Sequence, residues 1–124
     1  MMKFLILSIV FSFCHFSSTF SQEYVRIRIE TRLDNGSMKS IYESDNQELI
    51  EKLESCLKGK KAPNFKCGYT GKIIFVRKDN TEFDAEFNIQ SCNHIVYMKG
   101  ERLISHYLKK ENIELLKNLT KNKP

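Results

Sequence analysis

Three features predict an α+β fold with a single antiparallel sheet of about six strands and two helices packed on one of its faces. Residues 24–33 and 81–90 alternate apolar and polar side chains with the period of two that marks a half-buried strand. Tight-turn residues separate neighbouring strand runs, which makes those neighbours antiparallel. Two stretches of helical period each close a group of strands, giving the order ββα-ββββα. One sheet with both helices on its apolar face satisfies that order.

In the first strand, residues 24–33 (YVRIRIETRL), Val25, Ile27, Ile29, Thr31 and Leu33 point one way, and Arg26, Arg28, Glu30 and Arg32 the other. Asn35-Gly36 supplies the positive backbone angles of a hairpin turn. The partner strand, residues 38–43, places Met38, Ser40 and Tyr42 on one face and Lys39, Ile41 and Glu43 on the other. Its weaker alternation suits an edge. Asp45, with Glu48 three residues on, predicts a capping box. The helix it opens buries Leu49, Ile50, Leu53, Cys56 and Leu57 and ends in a cap at Gly59. Residues 60–71 read as a loop.

A short apolar strand, residues 72–77, turns at Asp79-Asn80 into residues 81–90 (TEFDAEFNIQ), where Phe83, Ala85, Phe87 and Ile89 face inward. Glu82, Asp84, Glu86 and Asn88 face out. Residues 94–98 and 102–108 form two further strands around Lys99-Gly100, and a helix over residues 111–120 carries the stripe Ile113, Leu116, Leu119. Each half of the order ends in a helix, yet no residue-level repeat accompanies this.

The amino terminus has the layout of a secretory signal peptide. Lys3 precedes an apolar run over residues 4–13, small residues surround Phe20, and no acidic residue precedes Glu23. Cleavage is expected after Ser21. The run is too short for a spanning helix, and no other apolar stretch approaches about 20 residues, so no stable membrane insertion is expected after cleavage. Of 124 residues with net charge +5, removal of 21 with their single lysine leaves 103 residues with net charge +4. That length makes one domain, residues 22–124. The lysines of residues 58–66 and 109–123 read as solvated charge rather than as an acidic-polymer or lipid site.

Cys14 lies within the leader, and Phe13 before it does not fit a lipid-attachment motif. Cys56, Cys67 and Cys92 remain for an oxidising compartment, enough for one bridge and one thiol. Cys67–Cys92 is the favoured pair, with Cys56–Cys67 and no bridge as alternatives; Cys56, on the apolar helix face, suits a buried thiol.

No catalytic, metal or nucleotide motif stands out, and no cofactor is implied. Cys92, His94 and His106 offer zinc-ligand types, but Cys-x-His is not a recurring structural spacing. The same three residues sketch a thiol nucleophile with a base, without a surrounding nucleophile signature. Glu82, Asp84 and Glu86 form a carboxylate row of the residue types that acid–base and calcium chemistry use; the arginines of the first strand and Arg77 offer it cross-strand partners instead. Glu30 interrupts the basic strip that nucleic-acid binding would need, and export argues against that partner. Asn35-Gly36-Ser37 and Asn118-Leu119-Thr120 match the glycosylation sequon, which matters only in a eukaryotic source.

The expectation is therefore an exported, secreted or periplasmic, non-catalytic binding domain of a bacterial envelope, with a protein or peptide partner. Its expected working surface carries Arg26, Arg28, Arg32, Glu82, Asp84 and Glu86, with Phe65 and Tyr69 as candidate anchors in the loop. The contrasting expectation is a small secreted thiol- or metal-dependent enzyme centred on Cys92, His94 and His106.

Overall fold

A computed structural model describes residues 23–63 and 67–121. The expected leader and Phe65 lie outside the described residues. Strands β1 (Tyr24–Arg32), β2 (Met38–Ser44), β3 (Gly71–Arg77), β4 (Glu82–Asn88), β5 (His94–Lys99) and β6 (Arg102–Tyr107) form one antiparallel sheet in the order β2-β1-β3-β4-β5-β6. Helix α1 (Gln47–Glu54) follows β2, and α2 (Lys110–Thr120) follows β6. This is the predicted α+β arrangement, ββα-ββββα.

The inner face of the sheet meets the helices. Ile27 and Ile29 of β1, Ile73 and Phe75 of β3, Ala85 and Phe87 of β4 and Ile95 of β5 pack against Ile50, Leu53, Cys56 and Leu116. Aromatic rings continue this core across the strands, from Tyr24 to Phe75, Phe83, Tyr97 and His106, with neighbouring centroids 4.9 to 6.0 Å apart. The Tyr97 hydroxyl donates to the Leu57 carbonyl and so fixes the end of the α1 segment over β5.

Several local expectations are corrected. The pairing of β1 with β3 slips by one residue between Tyr24 and Arg26. That bulge turns Tyr24, rather than Val25, into the core, where Arg77 lies over its ring. A second slip leaves Ile41 unmatched, so Tyr42 pairs with Ile29 while Glu43 and Ser40 both oppose outer-face residues of β1. Asn46, not Asp45, caps α1: its side-chain oxygen accepts the Leu49 amide at 3.0 Å. The helix tightens into a 3-10 turn, Ser55–Leu57, instead of continuing to a glycine cap. Gly59 serves a different purpose, since a Cβ there would run into the Tyr107 carbonyl.

That close approach starts an excursion the sequence did not reveal. Residues 60–63 run along the β6 edge, with Tyr107 N donating to Lys60 O and Ala62 N to Ser105 O. Ser105 also reaches the Pro63 carbonyl. Beyond the undescribed residues 64–66, residues 67–70 lie against Asn88 and His94 on the outer face. This segment seals the β6 edge and covers the upper outer face.

Candidate binding surface

Alternation and register place Arg26, Arg28, Glu30, Arg32, Lys72, Ile74, Val76, Glu82, Asp84, Glu86, His94 and Val96 on the outer face. Of the cross-strand partners expected for the carboxylate row, only Arg28 reaches it among the described residues; Arg77 pairs with Glu23 instead, and Arg26 and Asp84 find partners the alternation did not name. Arg28 reaches over β3 to Glu82 at 3.4 Å and also pairs with Glu30, while Arg26 meets Glu43 at 3.1 Å and Lys72 meets Asp84 at 3.7 Å. Each half-exposed pair contributes little to stability, about 0–1 kcal/mol. Their stems matter more, because Ile74 and Val76 beneath them are only 3% and 1% exposed. The outer face is thus not the fully solvated surface its alternation suggested.

The disulfide joins Cys67 to Cys92, and among the described residues Cys56 is left as a buried free cysteine. Asn88, expected to face solvent, organises this corner. Its side-chain oxygen accepts the amides of Gln90, Ser91 and Cys92, and its nitrogen donates to the carbonyls of Cys67 and Gly68. One buried amide therefore holds both arms of the bridge. The sequence signal for it was an asparagine immediately before a turn, which alternation alone assigned to the surface.

Cys92, His94 and His106 are not brought together. Cys92 is bridged, His94 is buried on the outer face beside the Tyr69 ring, and His106 opposes Ile95 on the inner face. Burial holds the His94 imidazole below its ordinary pKa. Among the described residues no group of three His, Cys, Asp or Glu side chains is placed to hold a metal ion. Burial also pushes the Cys56 thiol up to about 12.

Three of the expected surface residues do converge. Arg32 from the end of β1, Tyr69 from the disulfide-tied segment and Glu86 from β4 line one open cleft of about 220 Å³, with Gly36, Met38 and Lys72 completing it. Gly68, at φ +72°, carries the chain past the Arg32 guanidinium. Burial, and to a lesser degree the Glu86 carboxylate, raises the Tyr69 pKa. Among the described residues neither Arg32 nor Glu86 makes an ion pair, unlike Arg26, Arg28, Glu82 and Asp84. Lys72 is the charged cleft residue that sequence reasoning missed, alongside Gly36 and Met38. Its position opposite Glu86 in the β3–β4 register was the available clue.

Met98 and Leu103 face each other at the opposite end of the outer face, 50% and 49% exposed. Comparison of the chain with protein-family models, curated proteins and solved structures gave no match. Among the described residues no helix is long and apolar enough to cross a membrane.

Proposed function

We propose that this chain is an exported, non-catalytic binding domain of a bacterial envelope, and that it engages a protein or peptide through the cleft of Arg32, Tyr69 and Glu86. One observation carries the reading. Most outer-face charges are spent on one another, whereas a guanidinium and a carboxylate beside an aromatic ring make no ion pair among the described residues and share one concavity. Unspent opposite charges flanking an aromatic anchor suit a polar peptide segment whose own charges complete them. A disulfide beside the cleft supports an oxidising compartment. The thiol-dependent alternative would draw on a free Cys92, whose sulfur is joined to Cys67, and the metal-dependent one on His94 and His106, which lie on opposite faces of the sheet.

The test is capture from the envelope and culture fractions of the source cells on immobilised residues 22–124, compared with Arg32→Glu, Glu86→Arg and the distant Lys110→Glu. A partner held by the unaltered protein and by Lys110→Glu, but lost from both cleft variants, is expected. A partner retained equally by all four would contradict the assignment of the cleft.

A further inference from the structure

A second concavity lies on the other side of the sheet, where the last turn of α2 stands over the ends of β1 and β4. It has a volume of about 280 Å³ and is walled by the apolar side chains of Phe87 and Ile89, with Thr31 at its base and Gln90 and Lys117 at its margin. The hydroxyls around it differ in one respect. Thr70 accepts the Ile89 amide and donates to the Phe87 carbonyl, and Thr120 donates to the Leu116 carbonyl. The Thr31 hydroxyl, on a residue only 2% exposed, has no hydrogen-bond partner among the described residues. A buried hydroxyl without a partner costs roughly 1–3 kcal/mol, so its retention on an otherwise apolar strand face points to an interaction it completes.

Lys117 supplies the charge. It makes no ion pair among the described residues, and its position in the last turn of α2 favours a cation there whatever lies nearby. The carbonyl end of the helix opposes an anion, but the Thr120 hydroxyl lies against two of those carbonyls, of Leu116 and Lys117. The ammonium group is therefore what selects the ligand.

We propose that this cavity binds a small organic carboxylate, with Lys117 as its charge partner, Thr31 as a hydrogen-bond donor after rotation about χ1, and Phe87 and Ile89 against a short apolar body. The site is independent of the outer-face cleft.

The probe is hexanoate, titrated into isotope-labelled residues 22–124 and followed by amide NMR, with hexanol and hexylamine as controls of equal tail. Saturable shifts at Thr31, Ile89 and Lys117 with hexanoate alone, leaving Tyr69 unmoved, are expected. Lys117→Gln, at an exposed position that leaves the fold intact, lowers the affinity about tenfold, the value of one charge-assisted contact. Thr31→Val lowers it several-fold. Absence of saturation, equal response to hexanol, or unchanged affinity in Lys117→Gln overturns the proposal.

Discussion

Buried polar side chains show how much a single residue can govern here. Asn88 satisfies three backbone amides and two carbonyls around the disulfide. Asn88→Ala is therefore expected to lower the unfolding free energy by about 3 kcal/mol, measured by urea denaturation with the bridge intact. Cys56 gives a pH signature. Its thiol is neutral in the fold up to about 12 but ionises from 9.0 in the unfolded chain. The unfolded state thus releases a proton first. The stabilising contribution is complete below pH 9 and is lost as pH rises toward 12. Tyr24, Tyr69 and Tyr97, also raised by burial, add to the same alkaline slope. Cys56→Ala should flatten that slope in denaturation experiments between pH 8 and pH 11, and the native thiol should resist alkylation at pH 8. An unchanged slope or a fast-reacting thiol would remove Cys56 from the core. His94 acts at the other end. Its lowered pKa means stability is present above the unfolded value and falls as pH drops below it.

At the level of elements, strands and turns were legible because alternation and turn residues are local. Gly36 and Gly100 adopt the positive φ their turns require, as does Asn80 between β3 and β4. The two bulges were not legible. An extra residue at Val25 or Ile41 leaves composition and approximate alternation intact while reversing the facing of what precedes it. The course of residues 60–70 was equally hidden, since Gly59 and Asn88 act through partners far away in sequence. The Cys67–Cys92 bridge spans 25 residues and is expected to contribute roughly 3.5 kcal/mol. Cys67→Ser with Cys92→Ser should cost about that much and raise amide exchange in β5 and β6, where residues 60–63 and 67–70 provide cover. Loss of stability with unchanged exchange there would mean that the cover does not depend on the bridge.

Over the whole molecule, the sheet has one edge sealed and the other blunted. Residues 60–63 hydrogen-bond along β6, while β2 carries Lys39 and the bulge at Ile41. Both devices discourage strand addition, which directs attention from edges to faces. The candidate surface was partly legible for the same reason as the strands. Arg32 and Glu86 followed from alternation, whereas their meeting with Tyr69 depends on a loop whose path only tertiary contacts define. A binding role for that surface rests in turn on where the chain works. Peptide mapping by mass spectrometry, on protein isolated from the source cells without reduction, reads both the amino terminus and the cysteine pairing. A chain starting at Gln22, found outside the cytoplasm with Cys67 linked to Cys92 and Cys56 free, is the expected result. Recovery of the chain only from the cytosol, still beginning at Met1 and with its thiols reduced, would contradict it.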